Sequence, residues 1–249
     1  MARHHAWALT LTLMMGATLW SHGGEALPVP GSVVYHGKDR ASTVVLSPEQ
    51  SRGMYTGDFL RWAREDDNRP PTPEDVLAIG SSSMRMWTTI AKDLAPLRII
   101  HRGFGGSQMQ DVVLMQSFFE RYPCRRILIY QGDNDLFGPK TQPEANFLAP
   151  LRAFIAATRE KRPDTEFYLI SVKPSPSRME AIGRYREANA ALKAMGEADP
   201  KTHFIDVFTP MLGQDGQPLP DLFLGDKLHM NAQGYAIWTK AVRAALLGE

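Results

Sequence analysis

A parallel α/β sheet with helices on both faces is the architecture this sequence predicts, on three observations. Short apolar runs without polar alternation recur along the chain, as strands buried on both faces require. Each run ends in glycine or a polar turn, and each turn leads into a segment whose apolar residues recur at helical spacing. Five such strands alternate with helices, and right-handed crossovers join them into one sheet.

The elements follow in order. Arg3, His4 and His5 make a short basic start, and residues 6–20 form an uncharged, mostly apolar run that is short for a membrane span. Gly24 and Ala26 offer small residues for cleavage, so residues 1–26 read as a secretory signal and 27–249 as a single domain in the periplasm or medium. An uncleaved membrane anchor is the alternative; removing residues 1–26 takes away Arg3 and Glu25 and leaves the formal charge at +1. Residues 27–74 form an N-terminal extension. Its Pro- and Gly-rich part, 27–46, is expected to wrap the surface or add a short edge strand. Ser47-Pro48-Glu49-Gln50 combines a cap, a proline at the first helical position and a reciprocal glutamine, opening a helix to about residue 64.

The first strand is 76–79, and Gly80 permits a sharp turn into a helix marked by Met84, Trp87, Ile90 and Leu94. Residues 97–101 read as the second strand, closed by Gly103-Phe104-Gly105-Gly106 and a helix over 110–121. The third strand, 126–130, runs into Gln131-Gly132-Asp133-Asn134-Asp135, with a helix over 144–161. A fourth strand at 166–172 ends in Lys173-Pro174-Ser175-Pro176-Ser177-Arg178 and a long helix over 179–197; the fifth strand is 203–207. Leu222-Phe223-Leu224-Gly225-Asp226-Lys227-Leu228-His229 then precedes a last helix with Tyr235, Ile237, Trp238, Val242 and Leu246 at helical spacing.

With 43% apolar and 22% charged residues, the chain of 249 has the composition of a protein with one sizeable core. A net charge of +1, with no basic run interleaved with aromatics, argues against nucleic acid or a membrane surface as partner. Cys124 is the one cysteine, which excludes an intrachain disulfide framework and a multi-cysteine metal site. No metal or cofactor is expected.

The chemistry starts at Ser82. A serine in a turn at the carboxyl end of a parallel strand lies where open α/β sheets bind ligands, and a helix N-terminus assists it. Three serines before a helix are more often only a cap, and the G-x-S-x-G elbow fails because Met84 stands where it needs glycine. A nucleophilic serine needs a base, a group that orients the base, and donors for an oxyanion. Asp226 and His229, three apart, supply a carboxylate beside an imidazole. Three groups are candidate donors: the N–H of Ser82, the N–H of Gly106 and the side-chain NH₂ of Asn134. Each follows the carboxyl end of an expected strand, so one rim of the sheet presents them together. Asp133, Lys173 and Arg178 could reach the same rim as candidate substrate-binding residues, although Lys173 and Arg178 better suit holding their own loop or capping neighbouring carbonyls.

These blocks resemble the SGNH hydrolase superfamily, the GDSL esterase/lipase family, at Gly80-Ser81-Ser82-Ser83, Gly103-Phe104-Gly105-Gly106, Gly132-Asp133-Asn134-Asp135 and Asp226-Lys227-Leu228-His229. The likeness spans about residues 75–245. It implies a flavodoxin-like three-layer α/β/α sandwich with five parallel strands, Ser82 as nucleophile, Gly106 and Asn134 as oxyanion donors, His229 as base and Asp226 as its orienting group. Where the family has Asp before the nucleophile this chain has Ser81, as in a bacterial branch that shares Arg102-Gly103-Phe104-Gly105-Gly106 and the segment Lys173 to Arg178. Ser81 or Ser83 becomes the nucleophile if the turn is shifted.

The function expected is a secreted serine ester hydrolase acting through an acyl-enzyme on short, acetyl-like esters of a carbohydrate or other polar alcohol. The alternatives are a lysophospholipase or thioesterase on longer chains, for which Phe137, Leu212 and residues 222–224 could build an acyl pocket, and an acyltransferase with the same triad. A non-catalytic binding module on the same fold is a further class, disfavoured because every group the chemistry requires is present.

Overall fold

The computed structural model describes residues 30–38, 43–51 and 53–249, so the expected leader lies outside the described residues. Among the described residues the strands are β1 (Val33–Tyr35), β2 (Val44–Leu46), β3 (Val76–Gly80), β4 (Ile99–Gly103), β5 (Arg126–Tyr130), β6 (Glu166–Ile170) and β7 (Thr202–Ile205). The helices are α1 (Pro48–Ser51), α2 (Thr56–Asn68), α3 (Ser82–Arg85), α4 (Ile90–Asp93), α5 (Met109–Leu114), α6 (Gln116–Phe119), α7 (Ala149–Lys161), α8 (Ile182–Ala198) and α9 (Ala232–Leu247).

The five expected strands form one parallel sheet in the order β4-β3-β5-β6-β7. All five residues of β3 are buried, and its side chains alternate between two cores. Leu77 and Ile79 join Phe59, Trp62, Phe119 and Phe154 on one face; Val76 and Ala78 join Trp87, Leu94, Trp238 and Val242 on the other. Sheet and two helical layers make the α/β/α sandwich. The chain leaves β3 first toward β4 and then returns to the other side for β5, so the strand order reverses at β3, and ligand sites of such sheets form at the carboxyl ends beside that reversal.

Several elements differ from expectation, each for a local reason. Residues 33–46 add no edge strand to the main sheet; β1 and β2 pair antiparallel as a small sheet of their own, with Val44 and Leu46 buried against the α2 side. The helix expected to run from residue 48 to 64 is two. α1 carries the anticipated reciprocal cap, Gln50 N–H to Ser47 Oγ at 3.2 Å and Ser47 N–H to Gln50 Oε1 at 2.9 Å, and α2 starts afresh after Gly53. The helix after Ser82 is also two short turns. Trp87 N–H bonds Met84 O and Thr88 N–H bonds Met86 O, while the Trp87 indole and Thr89 hydroxyl both donate to Asp93. Met84, Trp87, Ile90 and Leu94 are nonetheless buried together, so their spacing reports burial rather than a continuous helix.

The 110–121 helix divides at Met115 into α5 and α6. The 144–161 helix opens with a π-helical turn at Pro143–Leu148, and the 179–197 helix with a 3₁₀ segment at Pro176–Ala181. β6 stops at Ile170 because the Asn189 side chain of α8 takes the Val172 backbone, accepting from its N–H at 2.7 Å and donating to its carbonyl at 2.9 Å. Arg102 on β4 is buried and anchors α2 to the sheet through Asp66, Glu65 and the Tyr122 hydroxyl.

Candidate active site

The turn after β3 has no room for a side chain at its first position. A Cβ on Gly80 would lie 2.5 Å from Met84 Cβ and 2.7 Å from Tyr130 O, so glycine lets the chain turn against β5. The three serines that follow have identical chemistry and different surroundings. Ser81 and Ser83 are buried, and their hydroxyls have no hydrogen-bond partner among the described residues. Ser82 is partly exposed, and its Oγ stands 2.9 Å from Nε2 of His229.

His229 is delivered by the loop before α9. That loop is pinned by Leu224 N–H to His229 O at 2.7 Å and by Asn231, which caps α9 by accepting from Gln233 and Gly234. Between carboxylate and imidazole, Lys227 takes the left-handed conformation at φ 58°, which folds Asp226 back over the following residues. Asp226 Oδ1 accepts from the N–H of Leu228 and of His229, both at 2.9 Å, and Oδ2 lies 2.6 Å from His229 Nδ1. The imidazole hydrogen bond, then these backbone donors, hold the Asp226 carboxyl down to about 2. An ionised Asp226 accepts a hydrogen bond from Nδ1–H of His229, which keeps the ring proton on Nδ1 and leaves Nε2 free to accept from the serine hydroxyl.

The glycine loop after β4 closes on the same turn. Phe104 N–H bonds Gly80 O at 2.8 Å, and a Cβ on Gly103 would lie 2.3 Å from Arg85 N, so this loop packs directly on α3. A Cβ on Gly105 would lie 3.9 Å from Ser82 Cβ, and Gly106 turns with φ +80°. The N–H groups of Ser82 and Gly106 donate to no backbone acceptor among the described residues. Asn134 is fixed from both ends: one N–H of its amide donates to Ser107 O at 3.0 Å, and its Oδ1 accepts from Arg178 at 3.1 Å. The second N–H of that amide is left to donate. Asp135 braces this loop to the next by accepting from Met109 N–H at 2.6 Å and Gly132 N–H at 3.0 Å; burial raises its carboxyl to about 6 against those two bonds.

Asp133, Lys173 and Arg178 were candidates for substrate binding at the rim, and the structure puts them beneath it. Lys173 is fully buried, with its ammonium 2.8 Å from Asp133 Oδ2; Asp133 Oδ1 accepts from Arg178 at 2.8 Å and from the Tyr185 hydroxyl at 3.1 Å. Burial works to raise the Asp133 carboxyl, but the two cations outweigh it and its pKa is lowered. The physical reason for the correction is that a buried carboxylate between two cations is satisfied by them and has no lone pair facing solvent. Arg178 still reaches the site, through the Asn134 amide it holds.

His101 is removed from consideration by its contact with Met84 O at 2.7 Å, and burial lowers its pKa. Among the described residues no cluster of three His, Cys, Asp or Glu is placed to hold a metal ion, and no helix is long and apolar enough to cross a membrane. Two further groups border the site, of which Tyr55 carried no sequence signal. Arg85 follows Ser82 by one turn, and Tyr55, from the turn before α2, approaches Gly106; its hydroxyl lies 3.9 Å from where a Gly106 Cβ would be.

Residues 76–237 match the family model described as the GDSL-like lipase/acylhydrolase family. Among solved structures the fold is similar to a GDSL-like lipase from Bacteroides thetaiotaomicron (21% identity over 77% of this chain and 98% of that one, TM-score 0.62). It is also similar to a variant of Axe2, an acetyl-xylooligosaccharide esterase from Geobacillus (15%, 70% and 94%, TM-score 0.58). A carbohydrate esterase family 3 protein from Talaromyces cellulolyticus shares it too (12%, 70% and 96%, TM-score 0.56). No curated protein matches the chain in sequence.

Proposed function

Because the chain belongs to the GDSL-like lipase/acylhydrolase family, we propose that it is a serine esterase with Ser82 as nucleophile, His229 as general base and Asp226 as its orienting carboxylate. One observation carries this reading: an unbroken run of contacts from Asp226 through both ring nitrogens of His229 to the Ser82 hydroxyl. Ser82 Oγ attacks the ester carbonyl while His229 Nε2 takes its proton, and Asp226 balances the imidazolium that results. The carbonyl oxygen becomes negative against the N–H of Ser82, the N–H of Gly106 and the free amide N–H of Asn134. Collapse breaks the ester C–O bond, His229 returns the proton to the departing alcohol, and water repeats the sequence to release the acid and restore Ser82.

The substrate proposed is a short acyl ester, acetyl-like, of a carbohydrate or other polar alcohol. Support comes from the polar groups around Ser82 and from the acetyl-ester and carbohydrate activities named for two proteins of the same fold. A second reading, cleavage of longer acyl chains, is favoured by a groove of about 900 Å³ beside the site, with Met86, Leu224, Met230 and Tyr235 among its walls. A series of p-nitrophenyl esters decides between them: a rate maximum at C2 to C4 supports the first, and one at C8 or longer overturns it. Adding a sugar acceptor to the same assay separates hydrolysis from acyl transfer. We further propose export with loss of residues 1–26; a mature protein whose N-terminal sequence begins at Met1 overturns that.

A further inference from the structure

The mechanism leaves two polar side chains at the site without a task. Arg85 shares the single turn of α3 with Ser82 and is 56% exposed; its Nη1 lies 3.5 Å from where a Cβ of Gly105 would stand, the same point that lies 3.9 Å from Ser82 Cβ. Guanidinium and nucleophile therefore border one small space above Gly105. The neighbouring carboxylate does not neutralise the cation closely. Asp58 Oδ2 is 3.9 Å from Arg85 Nη1, and its other oxygen is taken by Arg61 at 3.0 Å.

Tyr55 closes the next part of the same wall. Its ring packs edge-on against Phe104 with centroids 5.0 Å apart, which aims the hydroxyl at Gly106, and among the described residues that hydroxyl has no hydrogen-bond partner. Burial, helped by the charges of Asp111 and Asp58, pushes the phenol up to about 12, so it remains a neutral donor at working pH. Tyr55 and Asp58 precede the stretch that matches the family model, so the N-terminal extension supplies part of this wall.

The geometry points to an anion subsite formed by the Arg85 guanidinium and the Tyr55 hydroxyl above Gly105 and Gly106, which takes a carboxylate or phosphate group carried by the ester substrate. An arginine fork over Gly105 with a neutral O–H over the next residue suits the oxygens of either group, and among the described residues neither donor has an acceptor that a ligand must displace at close range. The inference rests on the esterase reading above and deepens it: the polar alcohol is an acidic one, an acidic sugar or a phosphate-bearing alcohol.

The test measures kcat/KM for acetate release from two pairs of esters, an O-acetylated glucuronoside against the O-acetylated glucoside and 1-acetylglycerol 3-phosphate against monoacetylglycerol. The expected result is a preference of roughly 10-fold or more for the anionic member of at least one pair, the scale of a hydrogen bond to a charged group. The responding pair identifies carboxylate or phosphate as the source. Arg85→Met should bring that ratio to about one, Arg85→Lys should retain part of it, and Tyr55→Phe should reduce it. Equal rates within both pairs, or a ratio unchanged in Arg85→Met, overturn the subsite. Turnover of the neutral esters that depends on Ser82 without any anionic preference removes the subsite and leaves the esterase reading standing, whereas no turnover of any ester by the intact protein removes both.

Discussion

At the scale of single residues, the site separates groups that face substrate from groups that hold them. Ser82 differs from Ser81 and Ser83 only in where its oxygen points, and that difference carries the first prediction. Ser82→Ala should lower kcat by roughly 10³-fold or more while leaving the circular dichroism spectrum and melting curve unchanged, because a hydroxyl is lost from a turn without opening a core cavity. Ser81→Ala, at a buried hydroxyl with no hydrogen-bond partner among the described residues, should keep most of the activity. If the two variants behave the other way round, the assignment is wrong. Asn134→Ala should lower kcat by roughly 10²–10³ with little change in KM, the scale of one lost oxyanion donor. An effect confined to KM would remove Asn134 from that role. Arg178 holds the amide oxygen, so Arg178→Met should act in the same direction as Asn134→Ala, and the double variant should lose less than the sum.

At the scale of elements, the site depends on three loops that leave the carboxyl ends of adjacent strands and on the loop before α9 that delivers Asp226 and His229. The glycine loop after β4 sits directly on α3, and the Gly103→Ala variant tests how tightly. With Arg85 N 2.3 Å from the added Cβ, backbone has to move rather than a flexible side chain. Overpacking of this kind costs about 3 kcal/mol, which for a chain of this size lowers Tm by roughly 10 °C. A Gly103→Ala protein with unchanged Tm and activity would mean that the loop does not bear on α3 as described. Elements also explain where sequence periodicity misled. Met84 through Leu94 keep helical spacing although the helix is interrupted, because the same face of the sheet buries them on either side of the Trp87–Asp93 hydrogen bond.

At the scale of the whole molecule, two buried carboxylates make stability depend on pH in opposite senses. Asp133 lies below the usual carboxylate range in the fold, so its contribution is present above the unfolded value of about 3.9 and is lost as pH falls through that region and below. Asp135 is raised to about 6, so the fold binds its proton more tightly than the unfolded chain does; that contribution is full below about 4 and is lost as pH rises through 6. The urea midpoint should therefore fall on acidification below about pH 4, and decline modestly between about pH 4 and 6 as pH rises. A midpoint constant from pH 3 to 7 would contradict both assignments.

What the sequence determined by itself was whatever short range encodes. Apolar runs of four or five residues, the glycines that follow them and the helical spacing of Tyr235, Trp238 and Val242 sufficed for the five parallel strands and the layers around them, because burial and turn formation are decided by neighbours in the chain. The blocks around Ser82, Gly106, Asn134 and His229 were legible for the same reason, each being a compact turn at a strand end. The approach of groups distant in sequence belonged to the tertiary structure. Ser82 and His229 are 147 positions apart, and only the tertiary structure brings the imidazole to the hydroxyl of Ser82, the serine the sequence already favoured. The sequence left Lys173 and Arg178 as loop-holding residues or rim cations, and the buried Asp133 between them is a partner only the tertiary structure supplies. Tyr55 had no spacing relation to the glycine loop at all; only the packing of α2 against Phe104 brings its hydroxyl to Gly106, since contacts between layers are fixed by the shapes that fill the core and not by order along the chain.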